Sequence, residues 1–371
     1  MKTATVSVIN DLVTDQRVHK VCTTLKNLGF DVVLVGRRQR ASLDLAPREY
    51  RTHRMKLLFE KGVLFYAFFQ LRLFFYLLFR RHHVLVSNDL DTLLPNYLVS
   101  KLKGVPLVYD SHEIFTEVPE LVGQNFKQGV WRRIERWIFP KLKNIFTVNQ
   151  SISDWFYEKY KVRPLVVRNM PRKGNNKHAT ASRAELNLPA GKKIVLLQGA
   201  GINIDRGSEE LVQSMKFLPD VLLLIVGSGD VIPALKEMVT KEDLSDRVLF
   251  TGKVPHEALQ KYTSVADLGV TLDKPTNVNY RLSLPNKIFD YIRAGIPVLC
   301  SDLPEVARIV RDYKVGVVAA SFDPQKLAST ISGALDSPEY ASWKSNTAKA
   351  AEELCWETDE VHLIKIYSQY L

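Results

Sequence analysis

The feature that most restricts the fold is a repeating pattern. A short, nearly continuous apolar run is followed by a polar turn and then by a stretch with helical spacing. In the first half the runs are TVSVI (5–9), DVVLVG (31–36), HVLVSND (83–89), PLVYDSHE (106–113), NIFTVNQ (144–150) and VRPLVVRN (162–169). In the second half they are KIVLLQG (193–199), VLLLIVGSGD (221–230), RVLFTGKV (247–254), DLGVTLD (267–273), PVLCS (297–301) and VGVVAA (315–320). Runs without polar alternation are buried on both faces, as parallel strands covered by helices are. The pattern therefore predicts an α/β chain of two Rossmann-like, doubly wound halves.

At 371 residues the chain exceeds one ordinary core, in agreement with two domains. The segment PRKGNNKHATAS (171–182) is polar, basic and rich in turn formers, and is the best linker. It separates a first domain, residues 1–175, from a second, 180–355, which leaves a final helix, 356–371. Other expected helices are Val18–Leu28, Trp131–Leu142, Glu209–Lys216 and Asn286–Ala294; Arg37–Arg54 reads as a basic loop. Cys22, Cys300 and Cys355 lie far apart in apolar segments, so buried thiols in a reducing cytosol are expected.

Charge is divided unevenly. Residues 1–180 hold 30 Lys and Arg against 15 Asp and Glu, whereas the rest hold 21 against 25, so the overall +11 arises wholly in the first half. Such asymmetry calls for an acidic surface facing that half, a membrane or a nucleic acid. The N-terminus (MKTATVSVIN) reads as a strand without the apolar region of a signal peptide. Leu57–Phe79 holds nine aromatic residues with Lys61 and Arg72 inside it, and Lys56, Arg80 and Arg81 at its ends. Its longest uncharged run, Gly62–Leu71, is too short to span a bilayer. Aromatics beside Lys and Arg compose an interfacial helix, although a helix packed against a sheet can share that composition. The basic residues surround an apolar stretch rather than a nucleic-acid-binding module, so a membrane surface is expected and nucleic acid is not.

Candidate chemistry sits in loops at the carboxyl ends of strands, where open α/β sheets bind ligands. After the first strand, Arg17 can line a site or make a surface salt bridge. Asp89-Leu90-Asp91 has the DxD form of a metal motif and also reads as a helix cap. His112 and Glu113 follow a strand end, a placement that suits chemistry or structure. In the second half, Gly199-Ala200-Gly201 opens a loop that closes on Arg206-Gly207. The glycines let backbone N–H groups approach a phosphate, and Arg206 offers a bidentate donor. Lys287, after Asn286, begins a helix with Asp290 one turn on; the pair suits a diphosphate with a carboxylate beside it, or two solvated charges. Gly227-Ser228-Gly229 lacks the complete dinucleotide fingerprint.

The motifs VTDQRVHKVCTTLKNLGFDV and VYDSHEIFTEVPEL in the first half, and GINIDRGSEELVQSM, VGSGD, VLFTGKVPHEAL and LPNKIFDYIRAGIPVLCSD in the second, resemble by their order and spacing the retaining glycosyltransferases of family 4 along nearly the whole chain. The resemblance implies the GT-B fold, two Rossmann-like domains facing across a cleft, with the last helix packing back on the first. It implies a nucleotide-sugar site in the second domain. Arg206 matches the family's diphosphate lysine, Gly201 stands at its arginine position, and Lys287 supplies a second charge. Asp290 matches the second acid of the paired-acid motif, while Leu282 stands at the first. Thr251–Val254, with Gly252 and Lys253, would back the base. His112 matches the active-site histidine. Arg17, Asp89 and Glu113 are acceptor-side candidates. No metal or other cofactor is expected.

The expected function is transfer of a hexose-type sugar from a UDP- or GDP-sugar to a glycan or glycolipid acceptor. The enzyme would be cytoplasmic and peripheral on an anionic membrane face. A nucleotide-sugar 2-epimerase of the same fold, or a non-catalytic nucleotide-sugar or nucleic-acid binder, are the alternatives.

Overall fold

The apolar runs assemble into two separate parallel sheets. The computed structural model describes residues 1–371 except 14, 41, 43 and 175–180, so the central part of the expected linker lies outside the described residues. The chain forms two units, residues 1–169 with 359–371, and residues 170–358.

The first unit contains β1 (Thr3–Asp11), β2 (Asp31–Arg38), β3 (Arg51–Lys56), β4 (Val84–Asn88), β5 (Leu107–Ser111), β6 (Asn144–Thr147) and β7 (Leu165–Val166). Their order is β3-β2-β1-β4-β5-β6-β7, and Val6 stands opposite both Leu34 and Val86. The chain order reverses between β1 and β4, which makes that junction the switch point of the sheet. Strand β3 falls in the segment read as a basic loop. It is an edge strand, RTHRMK, whose charges need no apolar alternation and discourage further pairing.

The helix Leu90–Lys103 follows β4 and contains Pro95. Proline has no N–H to donate to the carbonyl four residues back, that of Asp91. The Gln70 side chain, from the helix Gly62–Leu78, donates to that carbonyl instead. This second helix buries Phe65, Phe69, Leu73 and Leu77 at four-residue spacing and leaves Val63, Leu64, Leu71 and Phe75 exposed. Among the described residues, no helix is long and apolar enough to cross a membrane. The basic helix expected at 131–142 spans Asn125–Ile138.

The second unit contains β8 (Lys193–Gly199), β9 (Val221–Gly227), β10 (Val248–Gly252), β11 (Leu268–Thr271), β12 (Val298–Ser301) and β13 (Gly316–Ala319), in the order β10-β9-β8-β11-β12-β13. Alternate residues feed two cores. Val195, Leu197, Leu223 and Ile225 face one, and Ile194, Leu196, Leu222 and Leu224 the other. Tyr291 anchors the helix Lys287–Arg293 to the sheet, donating towards the carbonyls of Leu196 (3.2 Å) and Val270 (3.1 Å). Its ring lies against Gly269, where an added Cβ would meet Cγ at 2.3 Å. All three cysteines are buried free thiols.

Candidate active site

In the first unit, the residues after β1, β4 and β5 meet at the switch point. Asp15 caps the helix Gln16–Asn27 by accepting from Val18 N at 3.0 Å, which turns Arg17 inward. Arg17 is 3% exposed and grips Asp110, itself 1% exposed, through Nη2 to Oδ1 (2.7 Å) and Nε to Oδ2 (3.1 Å). Its remaining nitrogen, Nη1, donates to the Val167 carbonyl at 2.6 Å. Arg17 is therefore a buried positioning group, not a surface salt bridge.

His112 lies between two carboxylates. Nδ1 is 3.2 Å from Asp89 Oδ2; Nε2 is 3.5 Å from Asp110 Oδ2 and 3.2 Å from Asn88 Oδ1. Its backbone N–H donates to Asp89 Oδ1 at 2.8 Å. Burial alone would lower the imidazole pKa, but Asp89 and Asp110 push it up to about 9. Burial works against ionisation of Asp110 as well, yet Arg17 and His112 hold it well below the usual carboxylate range. The ring is thus an imidazolium at neutral pH with both N–H groups engaged, a donor and a fixed positive charge rather than a base.

Asp89 adopts φ 56° and ψ 169°, a region nearly reserved for glycine, at a cost of about 1–3 kcal/mol. Its bonds to His112 and the bond from its own N–H to the Asp110 carbonyl (2.9 Å) hold it there. Asp91 is buried, and burial raises its pKa well above the usual value. Glu113 is half-buried in the next turn, which Ser111 Oγ closes on the Glu113 carbonyl at 2.9 Å.

In the second unit, the loops after β8 and β11 flank the corresponding switch point. Arg206 Nη1 lies 3.2 and 3.4 Å from the oxygens of buried Asp273. Its guanidinium carbon is 4.5 Å from the centroid of the Tyr280 ring. Burial opposes the Arg206 charge, but Asp273 and Tyr280 outweigh it and raise the pKa. Lys287 joins this group. Burial lowers its pKa, Asp273 offsets that effect, and the Arg206 charge adds to it. Arg206 is paired with the buried carboxylate and Lys287 lies within its field, so two cations near one carboxylate leave a net positive site suited to a diphosphate. The attraction for an anion comes from these side chains; the helix Lys287–Arg293 has only seven residues, and Asn286, exposed at its N-cap, makes no side-chain capping bond.

Asp290 is half-buried and accepts from Gln198 Nε2 at 3.1 Å; Gln198 Oε1 accepts in turn from Thr263 Oγ1 at 2.7 Å. Leu282 ends the short helix Val278–Leu282 and brings no carboxylate. Gly252, which ends β10, and Lys253 after it are exposed on the same edge of the sheet but at its far strand. A Cβ on Gly201 would find only Asn203 Nδ2, at 4.0 Å, so the position is open. Two nearby glycines, Gly207 in this loop and Gly227 at the end of β9, serve packing. A Cβ on Gly227 would lie 1.8 Å from the Gly199 carbonyl oxygen, and one on Gly207 would lie 2.4 Å from that of Leu272.

The structure thus brings Arg17, Asp89 and His112 together in one unit, and Arg206 with Lys287 in the other. Asp110, Asn88, Asp273, Tyr280 and Gln198 complete the two groups. Asp110 and Asp273 carried a readable signal, since each is an acid closing a buried strand run.

Comparison with known proteins gives two family matches, glycosyl transferases group 1 over residues 179–350 and glycosyltransferase family 4 over residues 15–170. The chain is 23% identical over 256 residues to the alpha-D-kanosaminyltransferase of Streptomyces kanamyceticus, covering 66% of this chain and 64% of that enzyme, just under two thirds of its length. It is 22% identical over 345 residues to the chitobiosyldiphosphodolichol beta-mannosyltransferase of Candida glabrata, covering 81% of this chain and 74% of that one. Its fold is similar to that of Anabaena Alr3699/HepE, solved in complex with UDP and glucose, with a TM-score of 0.75, 16% identity, and coverage of 99% of this chain and 100% of the other.

Proposed function

The chain belongs to glycosyltransferase family 4 and has the GT-B fold, and on that premise we propose that it moves a hexose-type sugar from a UDP- or GDP-sugar to a lipid-linked or membrane-proximal glycan, with retention at the anomeric carbon. The observation that carries this reading is the Arg206–Asp273–Lys287 group, a net positive site at the switch point of the second sheet. A departing diphosphate gains charge as the glycosidic bond breaks, and fixed cations lower that barrier.

In this reading Arg206 and Lys287 hold the diphosphate, Gly201 leaves room beside it, and Asn286, Gly252 and Lys253 line the remainder of the donor site. Asp290, oriented by Gln198, accepts from a hydroxyl of the sugar or ribose. The imidazolium of His112, fixed by Asp89 and by the Arg17-bound Asp110, positions the donor sugar or the acceptor. Glu113 lies on the acceptor side. The acceptor hydroxyl attacks on the face of the leaving group, and a diphosphate oxygen takes its proton, so His112 is not required as a base. No metal takes part; a chelator is expected to leave turnover unchanged.

A lipid-linked acceptor is supported by the exposed aromatic and basic face of the first unit and by the diphosphodolichol acceptor in the name of the Candida glabrata relative. The protein would then work peripherally on the cytoplasmic face of a membrane, in surface polysaccharide or glycoconjugate synthesis. A thermal-shift screen with UDP-, GDP-, ADP- and dTDP-sugars tests the donor. A rise in Tm with a UDP- or GDP-sugar, absent in Arg206→Ala, is expected; no shift with any of them would refute the reading. NMR of the product's anomeric proton tests retention.

A further inference from the structure

The first unit carries a groove that the reaction does not use. It runs between edge strand β3 and the C-terminal half of the helix Gly62–Leu78, with a volume of about 670 Å³. Met55, Phe68, Leu71, Phe75, Tyr76 and Phe79 give it apolar walls, and Phe79 is 79% exposed. His53 stacks on Tyr76 with ring centroids 4.5 Å apart. Burial, with help from Arg80 and Arg72, lowers the His53 pKa, so it lines the groove as a neutral ring.

A second cavity of about 380 Å³ shares Tyr76 and Arg80 with the first. Its other walls are mostly polar or basic and include Thr3, Thr5, Arg51, Arg81 and His82. Arg51 is paired with Asp31. The Arg80 guanidinium lies 4.5 Å from the Tyr76 ring centroid, and neither Arg80 nor Arg81 makes an ion pair among the described residues. Among the described residues, neither cavity is lined by an acidic one.

Position separates this pair of cavities from the reaction loops. Thr3 and Arg51 open β1 and β3, and His82 precedes β4, so the basic cavity lies at the amino edge of the sheet. His112 and Asp89 lie at its carboxyl edge. An occupant here is therefore not the hydroxyl that reacts.

We propose that the two cavities together bind one anionic phospholipid of the bilayer, an acyl chain along the apolar groove and the phosphate against Arg80 and Arg81. The proposal rests on the membrane association suggested above and narrows it to a site. An aromatic groove offers nothing to a free phosphate, and a polyanion needs no apolar slot. Apolar walls that lead into unpaired arginines match a chain joined to a phosphate.

The test is calorimetric titration with dihexanoylphosphatidylglycerol below its micelle concentration, with inorganic phosphate as the control. Saturable one-to-one binding of the lipid is expected, with phosphate binding far more weakly. The double variant Arg80→Ala/Arg81→Ala should bind the lipid about thirtyfold more weakly. Phe79→Ser should lose about tenfold, and Tm should stay unchanged for both, because these side chains are at the surface. Equal lipid binding by wild type and variants, or phosphate binding as tightly as lipid, overturns the site. Flotation with phosphatidylcholine vesicles containing phosphatidylglycerol separates the two readings. Wild type and variants floating equally would retain membrane association and overturn the groove. Saturable short-chain binding without flotation would retain the groove and overturn membrane association.

Discussion

A histidine between two carboxylates has its charge decided by its neighbours. With its pKa raised from 6.5 to about 9, His112 contributes stability that is complete below about pH 6.5 and is lost as pH rises through about 9. Activity that needs the imidazolium should fall on that same alkaline limb. In a pH profile of kcat/KM, His112→Gln is expected to be slower throughout and to lack the limb; a limb that survives the substitution would assign it to another group. Arg206→Ala should cost about 2–4 kcal/mol of transition-state stabilisation, as a lost oxyanion donor does. Asp273→Asn is subtler. It removes a negative charge near the diphosphate but releases the guanidinium, so donor KM should not rise while kcat falls by about 1–2 kcal/mol. A raised KM with unchanged kcat would refute a positioning role. Arg206 and Lys287 were legible in the sequence because lone cations in glycine-bearing or helix-opening loops are conspicuous. Asp273 was legible as an acid at a strand end, but its partnership with Arg206, and the place of Tyr280 beside it, were not, because both depend on strands β8 and β11 being neighbours, a pairing between segments distant along the chain.

At the level of elements, the strands were legible where both faces are buried and illegible where one edge is open. β3 shows this, because an edge strand of Arg, His and Lys has the composition of a loop. The helix Leu90–Lys103 was hidden by Pro95, whose missing bond is replaced by a side chain from another helix, which no local pattern announces. The helix Lys287–Arg293 was legible in outline, but what places it is the pairing of Tyr291 with Gly269. That contact makes a direct prediction. In Gly269→Ala the new methyl would sit 2.3 Å from the Tyr291 ring, so the ring must shift and strain the helix that carries Lys287 and Asp290. Overpacking of this kind costs about 1–3 kcal/mol. Denaturant unfolding should show that loss together with weaker nucleotide-sugar binding; a variant as stable as wild type would mean that the helix is not pinned there.

For the whole chain, the decisive fact is that it does not end in the unit where its second half folds. Residues 359–371 belong with the first unit, tied by Asp359 to Arg168, with Nε to Oδ2 at 2.8 Å and Nη2 to Oδ1 at 2.7 Å. Leu363 and Tyr367 are fully buried, and the Tyr367 ring centroid lies 6.1 Å from that of Phe146 on β6. Burying two such side chains stabilises by about 3–6 kcal/mol, a large part of the 5–15 kcal/mol typical of a folded domain. Truncation after Thr358 therefore removes a structural member of the first unit, although every deleted residue follows the second unit in sequence. The expected result, read by hydrogen exchange with mass spectrometry, is loss of protection across residues 1–169 with residues 170–358 unchanged. Nucleotide-sugar binding should persist in the truncated chain, since Arg206, Asp273, Lys287 and Asp290 all lie in the second unit. Asp359→Ala should shift the first unit alone, by about 2–3 kcal/mol, because it breaks charge-assisted bonds to Arg168. Loss of protection spread evenly over both units would mean that they do not unfold as separate bodies. Unchanged protection in the first unit would mean that its core closes without the last helix.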